Sequence, residues 1–180
     1  MQDVMSPDAI PSAETLMQPL AFTADDLVAN RQGQLGANQR QRLQKLQNRA
    51  LLIGVAGFFG FALTATILLF FGSENALIVM SFLGVFVTIL NAIFVGMFAR
   101  QYMRLRADLT SGEIDIITGE LQRVVKANGR MNNFLLRIND DEFYVKKELF
   151  KLFRHEVNYN VYQAQHSRVL LAAEPTPASF

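Results

Sequence analysis

The chain contains no cysteine. Disulfides, thiolate zinc sites, iron–sulfur clusters and cysteine nucleophiles are thereby excluded. Histidine is scarce: only His155 and His166 occur, on different expected elements, and no H-E-x-x-H pattern accompanies them. No metal site and no cofactor is expected. Walker A, GxGxxG and GxSxG patterns are all missing, so no catalytic residue can be named and no enzyme is expected. Charge is thin as well: 18% charged residues stand against 51% hydrophobic ones, more apolar than an ordinary soluble chain. The net charge is +1, and between residues 112 and 175 nine bases meet nine acids. A nucleic-acid surface would show an excess of bases, so no nucleic-acid partner is expected. Met1 to Leu20 lacks a basic start and carries Asp3, Asp8 and Glu14, which does not read as a signal peptide.

What the chain has is concentrated apolarity. Residues 50–72 and 76–99 are two runs without a single charge. Crossing a hydrocarbon core takes about 20 apolar residues, and both runs are long enough. A buried helix of a soluble protein would show a polar stripe, and neither run has one. They read as transmembrane helices 1 and 2, joined by a short external turn at 73–75. Arg40, Arg42, Lys45 and Arg49 precede the first run, and Arg100, Arg104 and Arg106 follow the second, while the turn has no Lys or Arg. Basic residues collect on the cytoplasmic side, which makes both termini cytoplasmic and the protein a multi-pass resident of the plasma (inner) membrane. Arg40, Arg42, Lys45, Arg49, Arg100 and Arg104 are candidate contacts for lipid head groups, and the bilayer is the first expected partner.

Small residues recur within the spans. Gly84, Thr88, Ala92 and Gly96 follow one another every four residues on the second, and Ala56, Gly60 and Thr64 on the first. Such stripes let helix backbones approach in lipid, so the expectation is that the two stripes pack together within one hairpin. Packing between copies of the chain, or a face lining a pore, are the alternatives. Asn91 is the one strongly polar side chain deep in a span. It finds no side-chain partner at its depth, so its expected bond is to a carbonyl bared by Gly54 or Gly57, to water, or to a second chain. The last case would make a weak homo-oligomer.

The flanks divide further. Residues 1–21, with Pro7, Pro11 and Pro19 and no apolar period, read as a disordered tail. Residues 22–49 read as juxtamembrane helices: Thr23 caps one, with Asp26 three residues on, Gly33 and Gly36 end it, and a second runs from Asn38 into the first span. Residues 100–110 form a stalk. From 111 to 175 the apolar period changes to two, with Gly119 as an expected bulge and Asn128-Gly129 as a hairpin turn. Three strands, a short helix with Leu149, Leu152 and Phe153 on one face, and two more strands are expected, followed by a tail at 176–180. The fold class is thus α+β: a transmembrane helical hairpin followed by a small cytoplasmic β-barrel of the OB or SH3-like kind.

The run Asn30-Arg31-x-Gly33-x-Leu35, the hairpin, Val161-Tyr162, Ser167-Arg168-Val169-Leu170-Leu171 and Glu174-Pro175 together resemble uncharacterised bacterial membrane proteins with two transmembrane helices and a small cytoplasmic β-domain. The resemblance implies that architecture and no activity. The expected function is a membrane-anchored interaction or scaffold module that presents the β-domain to an unidentified protein partner. The alternative is a subunit of an oligomeric channel or transporter.

Overall fold

The computed structural model describes residues 11–74, 78–128 and 131–176. The chain is α+β; among the described residues it has five helices and five strands in the order α1 (Ala13–Leu20), α2 (Ala24–Arg31), α3 (Ala37–Glu74), α4 (Ile78–Ser111), β1 (Ile114–Asn128), β2 (Met131–Ile138), β3 (Asp141–Val145), α5 (Lys147–Leu152), β4 (Val157–Ala164) and β5 (Leu170–Pro175). It divides into two compact units. One takes the described residues up to Arg40 together with those from Gly112 on; the other is Gln41–Ser111.

The first unit is built on an antiparallel sheet of order β3-β2-β1-β4-β5. β1 is long enough to serve two partners. Its first half, Ile114 to Leu121, pairs with β4, and its second half, Leu121 to Asn128, pairs with β2. Leu121 is the changeover, opposite both Val157 and Ile138, and it is fully buried. β2 and β3 are joined at Asn139-Asp140, where Asn139 takes φ 53, a conformation its short side chain tolerates. The expected turn at Gly129 lies outside the described residues, although its strands pair as far as Asn128 opposite Met131.

The succession along the chain of three strands, a short helix and two strands follows expectation, but three details differ. Gly119 makes no bulge, because the β1–β4 register runs through it unbroken. A side chain there would instead meet Asn139 Oδ1 at 2.8 Å, and Asn139 Nδ2 donates to the Thr118 carbonyl at 3.3 Å, so the residue serves a close approach. The irregularity falls at Tyr162/Gln163 in the β4–β5 pairing. In α5 the buried residue is Phe150, followed by Phe153 beyond the helix end, while Leu149 and Leu152 are only half-buried.

The third difference is the largest. Residues 13–20 of the expected disordered tail form α1, and α1 packs on β5 and α5. Ser12 caps it, and Leu16 and Leu20 are buried, as is Phe22 just after it. Two leucines four apart form a stripe one residue wide, too little to register as a period in a segment rich in Pro, but enough to dock eight residues once a sheet is present. Pro19 sits in the last turn, where the chain is about to leave the helix at Ala21.

The second unit is a pair of helices, each continuous from a polar end through an apolar run. At 1.5 Å per residue, α3 is about 57 Å long and α4 about 51 Å, against about 30 Å of bilayer core. Both are long and apolar enough to cross a membrane. The chain does not cover their apolar surface: Phe59 is 65% exposed and Val79 79%.

Candidate functional site

In the first unit, a polar cluster joins the two flanks. α2 is closed at its start by a reciprocal cap: Thr23 N donates to Asp26 Oδ2 at 3.0 Å, and Asp26 N donates to Thr23 Oγ1 at 3.3 Å. Gly33, at φ 76, turns the chain back after the helix. The segment then runs beside the start of β1: Leu35 N donates to the Gly112 carbonyl at 2.9 Å, Ile114 N to the Gly33 carbonyl at 3.2 Å, and Gln34 bridges Glu113. Beneath it, Asn30 and Gln39 are both completely buried. With the Asn30 amide turned so that its nitrogen faces acceptors, Nδ2 donates to Gln39 Oε1 at 2.8 Å and Oδ1 accepts from Gln39 Nε2 at 2.7 Å. Gly36 packs directly on Asp26, whose Cα would lie 2.7 Å from any added Cβ.

Arg31 leaves the end of α2 and reaches β5. Its Nε donates to Glu174 Oε1 at 3.1 Å and its Nη2 to Oε2 at 2.5 Å, a two-pronged ion pair. The Tyr162 hydroxyl, on β4, donates to the same Oε1 at 2.6 Å. Donors on this carboxylate, Arg31 foremost, hold Glu174 below the usual carboxylate range. Burial, reinforced by the hydrogen bond to Glu174, pushes the Tyr162 hydroxyl well above its ordinary value. Arg31, Tyr162 and Glu174 all lie in the motifs of the sequence resemblance. They converge here although Arg31 and Glu174 are 143 residues apart. A carboxylate already taken by three donor hydrogens is poorly placed to move protons, so the cluster reads as a clasp and not as a catalytic dyad. Local spacing offered no signal for it, since each member sits on a different element.

The remaining polar groups offer little chemistry. No group of three metal-ligating acids or histidines occurs among the described residues. His155 Nδ1 accepts from Arg123 N at 3.1 Å, holding the segment just ahead of β4 to β1, and His166 is exposed in the turn after β4. Glu142 accepts from Lys126 and Arg137, whose donors keep it below the usual carboxylate range.

In the second unit, the seven expected packing residues do not share a face. Gly84 does pack: a Cβ there would meet Leu69 Cγ at 2.7 Å. Ala56, Gly60, Thr64, Thr88, Ala92 and Gly96 are exposed, and nothing lies within 4 Å of where a Cβ would stand on Gly60 or Gly96. The reason is geometric. A four-residue step turns about 40° past a full circle, so Gly96 lies about 120° around the helix from Gly84. A seven-residue step drifts only about 20°. The face that packs follows that step through Gly84, Asn91 and Phe98. Opposite it, Gly54 receives Phe98 and Gly57 receives the ring of Phe94, which also stacks on Phe61 with centroids 5.4 Å apart. Aromatic rings seated on glycines replace the expected match of small on small.

Asn91 is 8% exposed, and its Nδ2 lies 3.4 Å from the Phe58 carbonyl of its own hairpin. The acceptor for the amide nitrogen is therefore the carbonyl of Phe58, the residue after Gly57. Its Oδ1 is buried without a hydrogen-bond partner among the described residues. Among the candidate head-group contacts, Arg40 and Arg42 are engaged within the chain, while Lys45, Arg49, Arg100 and Arg104 are exposed on the polar ends of α3 and α4. Arg106, counted above for its charge but not among the head-group candidates, is exposed as well.

α3 and α4 also leave between them an open groove of about 340 Å³, lined from Ala50 to Phe59 on one helix and from Val95 to Met103 on the other. Comparison with protein-family models, with curated proteins and with solved structures finds no match for this chain.

Proposed function

We propose that the chain is a two-span integral membrane protein whose hairpin anchors one folded unit, assembled from both flanks, at the cytoplasmic face, where it acts as an interaction or scaffold module. The observation that carries this reading is the clasp. Arg31, ahead of the first apolar run, is bound to Glu174 and Tyr162, beyond the second. Flanks that fold into one unit must lie in one compartment, which an even number of crossings satisfies. The uncovered apolar surface of α3 and α4 supports insertion, because water would penalise it by roughly 25 cal/mol per Å². The basic residues at the polar helix ends, against none in the turn, favour the cytoplasm for the folded unit. The change of partner along β1 at Leu121 favours curling of the sheet toward a small barrel of the OB or SH3-like kind.

The native chain has no cysteine, so single cysteines report sidedness cleanly. Ser73→Cys is expected to react with an impermeant maleimide in intact cells, whereas Asp25→Cys and Glu120→Cys react only after the membrane is opened. Labelling of position 25 on one side and 120 on the other would overturn the single-compartment reading. Labelling of both in intact cells would reverse the orientation.

A further inference from the structure

We propose that the groove between α3 and α4 is a binding site for one anionic phospholipid of the cytoplasmic leaflet, with an acyl chain in the groove and its phosphate held by Arg106. The proposal rests on the membrane reading above. The groove runs from Ala50 to Phe59 along α3, about 14 Å at the helical rise, and from Val95 to Met103 along α4, about 12 Å. One leaflet of a bilayer core is about 15 Å deep. The groove therefore begins where the apolar run meets Arg49 and ends near mid-membrane, the depth of a single acyl chain. Its walls are apolar side chains throughout, save for Tyr102 at the mouth.

The mouth carries the charge. Arg106 lies three residues beyond Met103, four beyond Tyr102 and seven beyond Ala99, so it shares the helix face that lines the groove. Helical side chains lean toward the helix N-terminus, which on α4 means back over Tyr102 toward the apolar run. Arg106 is exposed and joins no ion pair among the described residues. Arg104 is equally exposed and unpaired, but it projects about 160° away from the same face. A second copy of the chain is the poorer occupant, since docking groove to groove would set one Arg106 against another.

The test uses the full chain, taken from carbonate-washed membranes into detergent. Native mass spectrometry would follow its titration with phosphatidylglycerol and with phosphatidylcholine of the same acyl chains. Wild type is expected to retain one phosphatidylglycerol in preference to phosphatidylcholine. Arg106→Gln should weaken phosphatidylglycerol retention about five-fold, the effect of one base beside an anionic head group, while Arg104→Gln should leave it unchanged. Ala99→Phe, at an exposed position on the groove wall, should block both lipids. Equal retention of the two lipids by wild type, equal effects of the two arginine variants, or undiminished binding by Ala99→Phe would each overturn the site. So would a dimer that Ala99→Phe dissociates. A chain washed out of the membrane by carbonate would overturn the insertion reading itself, before any lipid is added.

Discussion

Leu121→Ala should lower the stability of the flank-built unit by about 3 kcal/mol, near the middle of the range for a buried leucine that leaves a cavity. For a unit of this size the unfolding transition should fall by about 10 °C or more. Leu121 is fully buried at the one position of β1 that faces both β2 and β4, and its carbonyl accepts the Glu156 amide at 2.9 Å. A cavity there loosens both halves of the sheet at once. Ile116, on the same strand, is 45% exposed, and Ile116→Ala should cost under about 1 kcal/mol. Calorimetry of the full chain in detergent measures both, with far-ultraviolet circular dichroism recording whether the hairpin keeps its helices. Equal shifts for the two variants would show that the changeover at Leu121 has no special weight.

Glu174→Ala should cost more than Arg31→Ala, although each breaks the same ion pair. The Arg31 side chain is 57% exposed and that of Glu174 only 11%. Truncating Arg31 removes a largely solvated partner, at about 1 kcal/mol or less. Truncating Glu174 leaves the buried Tyr162 hydroxyl without its acceptor and strands the guanidinium, at about 1–3 kcal/mol. The clasp also sets a pH window. Glu174 titrates lower in the folded chain than in the unfolded one, so its contribution is complete above the ordinary glutamate value of about 4.3 and fades as the pH falls through the depressed folded value. Tyr162 titrates higher when folded, so its contribution is complete below about 10 and fades as the pH rises toward the folded value. Stability of wild type should thus decline on both sides of that window. Glu174→Gln should flatten the acid limb, and Tyr162→Phe the alkaline one. Urea denaturation followed by hydrogen exchange across the pH range reads both limbs. Unaltered limbs in both variants would assign the dependence elsewhere.

What could be read in advance was what is periodic along the chain. The runs 50–72 and 76–99 announce their helices through length alone, and Ile114, Ile116, Phe134, Leu136, Val157 and Tyr159 announce strands through alternation. Thr23 and Asp26, three apart, announce a cap that the structure contains. What escaped is what depends on a partner distant in sequence. Leu16 and Leu20 are a stripe only once β5 lies beneath them. Arg31 and Glu174 belong to motifs that each looked local. The small residues misled for a different reason: a four-residue repeat reads as a line in sequence but winds as a spiral on a helix, so Gly84 faces inward while Gly96 faces away. Arg106 counted only for its charge, because its place one turn beyond Tyr102 and Met103 of the groove wall is not written in local spacing.

The reach from Arg31 to Glu174 also orders events during synthesis. When the ribosome has made α1 and α2, neither has anything to fold against. On the membrane reading proposed above, both wait while the two apolar helices are threaded into the bilayer and four strands follow, until β5 emerges and brings Glu174 to Arg31. Should either helix fail to insert, the early and late segments emerge on opposite faces, and Leu16, Leu20 and Phe22 stay open to proteases. On that reading, completion of the flank-built unit reports correct insertion, and a wrongly threaded chain leaves Leu16, Leu20 and Phe22 uncovered.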